Sequence, residues 1–291
     1  MKPLALLAVA AAVALSGCAS ADAGDDGRMP VTAAFYPLQF VAQRVGGEHV
    51  RVTSLTRPGV EPHDLELTPK AVGSLARAGS VLYLGGFQPA VDEAVRTQAP
   101  RAALDVGPAA RLTLRSHGAP DPHFWLDPTR LADVAGAVAD DFARRDPSNA
   151  AAYHANADAL ERDLASLDEE IGSGLARCRT RELVTGHAAF GYLAERYGLH
   201  QQGVAGVSPD IEPDAATLRD LSAHVREAGV TTVYAEGLAS PALAETVARE
   251  AGVRVAVLDP LEGITTESKG HDYLEVMRAN LATLRAGQEC P

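Results

Sequence analysis

The chain has 291 residues, 46% hydrophobic and 22% charged, enough to bury one large core or two moderate ones, which excludes disorder and a fibrous repeat. Its 26 Lys and Arg face 38 Asp and Glu, a formal charge of −12, and no basic stripe is present to neutralise phosphates, so nucleic acid is not expected as a partner. Aromatic residues make up 5% of the chain with a single Trp, which leaves no stacking platform for bases or sugars, whereas an acidic surface suits cations.

Lys2 precedes an apolar run from Leu4 to Leu15. That run is too short for the roughly 20 residues of a membrane span and fits the apolar region of a signal peptide. The string Leu15-Ser16-Gly17-Cys18 resembles the lipobox of bacterial lipoproteins, in which the cysteine receives lipid and becomes the first residue of the mature chain. Residues 1–17 are therefore expected to be a lipoprotein signal peptide and Cys18 a membrane anchor. Residues 18–29, small and acidic, read as a flexible tether.

Short apolar runs then alternate with helical patterns. Val31 to Ala34, Arg51 to Leu55, Val81 to Leu84 and Ala102 to Val106 read as buried strands, with helices near 37–45, 69–78 and 88–98 between them. Thr68-Pro69 is a cap followed by a proline suited to a first helical turn. This alternation predicts a parallel sheet. Pro128 to Arg145 reads as one helix. Asp146-Pro147 opens a second, whose apolar positions Tyr153, Ala157, Leu160, Leu164, Leu167, Ile171 and Leu175 step by four and three. The strand-and-helix plan returns with strands at Leu183 to Thr185, Gln202 to Val204, Thr232 to Ala235 and Val253 to Leu258, and helices near 188–197, 214–228 and 241–251. The expected fold is α/β: two lobes, each with a mostly parallel four-stranded sheet flanked by helices. The boundaries are an N-terminal lobe over 30–146, a linking helix over 147–175 and a C-terminal lobe over 176–291. A single long helix between lobes is stiff and predicts limited lobe motion.

Cys178 and Cys290 are the cysteines left once Cys18 carries lipid. In an oxidising compartment a disulfide is the default for such a pair, with a thiolate metal site as the alternative.

Of the nine histidines, His49, His117, His154, His200, His224 and His271 sit on helix faces, turns or strand ends that suggest no special role. Three others differ. His63 follows the second strand in GVEPHDLELTP, His123 follows the fourth in DPHFWLDP, and His187 follows the first strand of the second lobe in TGHAAFGYL, where it would begin a helix. Asp259, in LDPLEG, follows the last strand. All four lie beyond carboxyl ends of expected parallel strands, where open α/β sheets place their ligands. Two come from each lobe, so they can converge across one cleft. Three neutral imidazoles and a carboxylate form a set that suits tetrahedral zinc, and a helix start at His187 would keep its ring neutral. Glu61 and Glu236 are close enough in sequence to orient the histidine rings or to replace Asp259. Trp125, Phe124, Phe190 and Tyr192, beside these positions, either shield an ion or are ordinary core.

The lipobox, GVEPHDLELTP, DPHFWLDP, TGHAAFGYLAERYGL, AEGLAS and LDPLEG occur here in the order found in the zinc- and manganese-binding proteins of bacterial ABC importers, and the chain resembles that family, in its zinc-uptake branch, over about residues 30–286. The resemblance implies two α/β lobes joined by a rigid helix, with Zn(II) held between them by His63, His123, His187 and Asp259. It also implies a monomeric extracytoplasmic protein, tethered through Cys18, that delivers its cargo to an ABC permease and its ATPase and is not an enzyme. Manganese binders resembling this family usually carry Glu at the position of His187, so zinc is favoured and a manganese-binding member is an alternative. A zinc-dependent hydrolase is the alternative from another class. The chain carries no HExxH string, and the long His-rich loop of many zinc-specific relatives is reduced to the segment containing His117.

Overall fold

The structure, a computed structural model, describes residues 27–116, 118–209 and 213–291. The expected signal peptide, Cys18, most of the expected tether and His117 lie outside the described residues.

The first layer is built by β1 (Met29–Ala33), α1 (Tyr36–Gly46), β2 (Val50–Ser54), α2 (Pro69–Leu75), β3 (Ser80–Tyr83), α3 (Pro89–Gln98) and β4 (Ala103–Asp105), then a short α4 (Gly107–Ala110). Its sheet is parallel throughout, in the order β2-β1-β3-β4, with Met29 opposite Val50 and Ala33 opposite Ser54. A two-stranded hairpin, β5 (Arg115–Ser116) with β6 (Ala119–Pro120), leads toward α5 (Pro128–Arg145). Thr68 accepts from Ala71 N at 3.2 Å with Pro69 in the first turn, the start foreseen for α2. Asp127 likewise caps α5 through Thr129 N at 2.9 Å.

The second layer holds β7 (Glu182–Thr185), α7 (Gly191–Tyr197), β8 (His200–Gly203), α8 (Ala215–Glu227), β9 (Thr232–Ala235), α9 (Ala242–Ala251), β10 (Arg254–Val257) and α10 (Tyr273–Gly287). Its order, β10-β9-β7-β8, is again parallel. Every strand of each four-stranded sheet therefore ends on the same edge, and the connections leaving those edges carry His63, His187 and the segment after β10, whereas His123, expected after the fourth strand, follows the antiparallel hairpin instead.

Between the layers runs α6 (Ala150–Leu175), 26 residues and about 39 Å long at 1.5 Å per residue. Its buried residues are the seven apolar positions that set the sequence period, and they share one continuous core with Phe35, Trp125, Leu193 and Tyr273 from both layers. A second, smaller core of Val184, Leu221, Val225, Val233 and Val247 lies under α8 and α9.

The chief local departures from expectation are short elements. The hairpin strands have two residues each and α4 has four, below the length at which hydrophobic periodicity registers. At the α7 end, Gly191 rather than 188 opens the helix, so His187 lies in an irregular turn and no helix start acts on its ring.

Cys178 and Cys290 form a disulfide across 112 residues, tying the exit of α6 to the segment that follows α10. Arg179 N reinforces the junction by donating to Gln288 O at 3.1 Å. Replacing both cysteines by serine is expected to lower stability by about 2–4 kcal/mol in guanidinium unfolding, with metal stoichiometry unchanged.

Candidate metal centre

Three turns leaving the carboxyl edges of the two sheets, and the loop after the hairpin, meet at one point. His63 lies in the irregular segment between β2 and α2, and His123 follows β6. His187 comes two residues after β7 and Glu262 five residues after β10. The three Nε2 atoms and Glu262 Oε1 form the one group of such donors, among the described residues, with all ligand atoms within 4.8 Å of one another. Glu262 Oε1 lies 3.1 Å from both His63 Nε2 and His123 Nε2 and 3.5 Å from His187 Nε2. His123 Nε2 lies 3.3 Å from His63 Nε2 and 3.4 Å from His187 Nε2. Donors held about 2.0–2.1 Å from a tetrahedral ion stand about 3.3 Å apart, so these spacings match an ion-sized cradle.

The far side of two rings is fixed by carboxylates. His123 Nδ1 meets Asp121 Oδ1 at 2.7 Å, and the same oxygen accepts from His123 N at 3.0 Å. His187 Nδ1 meets Glu236 Oε2, and Glu236 Oε1 accepts from His187 N at 2.8 Å. Each carboxylate accepts a hydrogen bond from Nδ1–H, which fixes the ring and turns Nε2 toward the centre, where a bound cation would take the place of its proton. Glu236 approaches so closely because residue 186 is glycine: a Cβ there would stand 2.8 Å from Glu236 Oε1.

Burial makes the arrangement costly without positive charge at its centre. The side chains of His123, His187 and Glu262 are at most 1% exposed and that of His63 is 9% exposed. Burial alone would lower the His187 pKa, but Glu236 and Glu262 push it up to about 10. His123 is raised in the same way, against its burial, by Asp121 and Glu262. For Glu262, burial works upward, yet the three imidazoles hold it well below the usual carboxylate range. Glu61, desolvated and facing the Glu262 charge, is pushed up to about 8, and its Oε1 accepts from His63 N at 3.1 Å.

Asp259, the oxygen donor expected from sequence, is not in the group. Its Oδ1 accepts from Leu261 N at 2.8 Å, and its backbone N and O are clasped by the Asn280 carboxamide at 3.0 and 2.7 Å. Leu261 adopts a left-handed conformation, φ 60°, and the chain reverses so that Glu262, three residues past Asp259, reaches the centre. Burial raises the Asp259 carboxyl, opposed by its bonds to Leu261 and Ser268. Sequence reasoning took the acid nearest the strand end. The signal for Glu262 was in the same LDPLEG string, but choosing it required knowing that the turn doubles back. Glu236 meets Nδ1 of His187, the orienting arrangement weighed for it, whereas Glu61 reaches the backbone N of His63 and not its ring.

Trp125 is fully buried. It packs 5.2 Å from the His123 ring and 5.1 Å from Phe35, and its Nε1 donates to Pro260 O at 2.8 Å. It is therefore core and also holds the turn that carries Glu262. Phe124, Phe190 and Tyr192 are buried in the same core. His200 and His224 flank Glu182 at 3.0 and 3.2 Å, away from this centre.

A pair of parallel-sheet lobes braced by a long helix, with a closed three-imidazole, one-carboxylate cradle at their seam, defines a metal-binding α/β protein of the two-lobed solute-receptor class. Residues 31–287 match the ZnuA family, the periplasmic component A of a zinc-uptake complex, and the chain belongs to that family. It is 33% identical over 305 residues to the zinc-binding lipoprotein AdcA of Streptococcus pneumoniae strain R6, covering 98% of this chain and 61% of that one. It thus spans about three fifths of that relative's length. The high-affinity zinc uptake system protein ZnuA of Bacillus subtilis is 32% identical over 299 residues, covering 96% of this chain and 93% of that one. The crystal structure of the Zn(II)-bound ZnuA-like domain of S. pneumoniae AdcA superposes with a TM-score of 0.78 at 34% identity, covering 90% of this chain and 100% of that one.

Two outcomes are expected. The carboxylates raise the imidazole pKa values in the metal-free site, so protons compete with a cation there. Apparent affinity should fall by about tenfold per pH unit for each proton displaced as pH drops, measured by chelator competition between pH 9 and 6. Gly186→Ala should push Glu236 off His187 and weaken metal binding by about 10- to 100-fold in titration calorimetry.

Proposed function

We propose that the protein captures Zn(II) outside the cytoplasm and delivers it to an ABC-type permease driven by a separate ATPase. In this reading His63, His123 and His187 bind through Nε2 and Glu262 through Oε1, and the metal is cargo. The observation that carries it is the convergence of three imidazole nitrogens and a carboxylate oxygen in a buried site, with His123 Nε2 and Glu262 Oε1 each 3.1–3.5 Å from the other donors and all four within 4.8 Å, a cluster of lone pairs that a divalent cation reconciles. Three imidazoles to one oxygen is a softer set than manganese prefers and suits zinc. With Glu262 in the fourth position a tetrahedral ion keeps no place for an activated water, which argues against hydrolysis.

Export is supported by the disulfide, at home in an oxidising compartment, and by the apolar run ending in Leu-Ser-Gly-Cys. The lipoprotein description of the S. pneumoniae relative fits Cys18 as the point of anchorage. A monomer suffices for this role, and the reading is supported by a cradle whose donors all come from one chain.

Metal analysis with titration calorimetry tests the assignment. The wild type should hold one equivalent of zinc in preference to manganese. Glu262→Gln should lose at least about 10- to 100-fold in affinity, the range seen even for outer partners of metal ligands, while Asp259→Asn keeps the stoichiometry. Retention of wild-type affinity by Glu262→Gln with loss in Asp259→Asn would overturn the ligand set, and stoichiometric manganese in place of zinc would overturn the cargo.

A further inference from the structure

The four donors are not held alike. Asp121 and Glu236 brace the rings of His123 and His187, but among the described residues no carboxylate meets Nδ1 of His63. The His63 side chain is also the most exposed of the four, at 9%, and it lies in the irregular stretch between Ser54 and Pro69. Beside it is a cavity of about 150 Å3, lined by Gly85, Gly86, Pro122 and Val207 among others, which gives the ring room to swing away.

What fixes this segment comes from the entrance of α3. The Phe87 ring meets His63 edge to face at 4.8 Å. Gln88, the residue before α3 and 2% exposed, donates through Nε2 to Pro62 O at 3.0 Å and to Thr56 Oγ1 at 3.3 Å. Thr56 Oγ1 in turn donates to Ala34 O, just past β1, at 2.8 Å. One carboxamide thus connects the rigid edge of the first sheet to the peptide immediately before His63. Both acceptors call for the nitrogen end of the amide, because Pro62 O has no proton to give and the Thr56 hydroxyl directs its own to Ala34 O. The amide does not cap α3, whose first turn receives no side-chain bond from it, so its two hydrogen bonds are spent on the ligand segment.

We propose that Gln88 is a positioning residue for the cargo: by latching the Pro62 carbonyl it holds His63 in ligating register and sets how long the metal stays bound. His63 is then the donor that leaves first on release and closes last on capture. This inference rests on the zinc-carrier reading.

The test is stopped-flow release of zinc from the purified mature chain into excess EDTA, for the wild type and Gln88→Leu, with Gln88→Met read in the same way should the leucine variant fail to fold. The Co(II)-loaded proteins are compared by their visible spectra, with His63→Ala as the reference for a lost imidazole. Release from the Gln88 variant should be about 10- to 100-fold faster, and its Co(II) spectrum should move toward that of His63→Ala, a change that a merely structural role would not produce. Release at the wild-type rate, or faster release with an unmoved Co(II) spectrum, overturns the proposal. A wild-type chain that holds no zinc would instead sink the carrier reading and this inference with it, so the two failures are distinguishable.

Discussion

Two imidazoles whose Nδ1–H groups each donate to a carboxylate bring their Nε2 atoms to 3.4 Å of one another in a buried site, a crowding of lone pairs that only protons or a cation can offset. The position of Glu262 Oε1, against all three rings, multiplies the constraint, because it adds a fourth lone pair to the same small volume. Everything around the cradle serves to keep these groups from relaxing apart. Asp121 and Glu236 fix two rings, Trp125 and Asn280 fix the turn that carries Glu262, and glycine at 186 admits the Glu236 carboxylate. The protein stores an electrostatic demand, and a cation of the right size answers it.

The fold supports that demand through a simple topological rule. Parallel strands all point one way, so turns at their carboxyl ends gather on one edge. Two such edges facing each other place residues more than a hundred positions apart within hydrogen-bond distance, as with His63 and Glu262. Neither sheet alone holds the full donor set. The seam exists because α6 and the core it shares with both layers keep the edges opposed.

Much of this was legible in the sequence, for physical reasons that also explain what was not. The strands and the buried stripe of α6 follow from apolar periodicity, which burial imposes directly, and the α6 positions from Tyr153 to Leu175 coincide with the buried ones. His63 and His187 stood out because strand ends are countable from the same pattern, whereas His123 was placed after the fourth strand although α4 and the hairpin, too short to register, lie between them. Asp259 and Glu262 could not be told apart that way. They are three residues apart in one turn, and the choice between them depends on a left-handed residue at Leu261 and on a clasp from Asn280, distant in sequence. Nor does periodicity announce a buried amide such as Gln88, whose partners lie in segments it does not adjoin. The expectation that a helix start would keep His187 neutral missed for a similar reason, since the turn before α7 is longer than the apolar pattern suggests.

The long helix has a mechanical corollary. A partner that tried to empty this protein by prising its halves open would have to peel α6 from a core to which both halves belong, whereas tugging on the stretch around Pro62 disturbs only a few hydrogen bonds. The economical point of leverage for unloading is therefore a single thread of backbone at the rim, and the halves themselves can stay still while the ion changes hands.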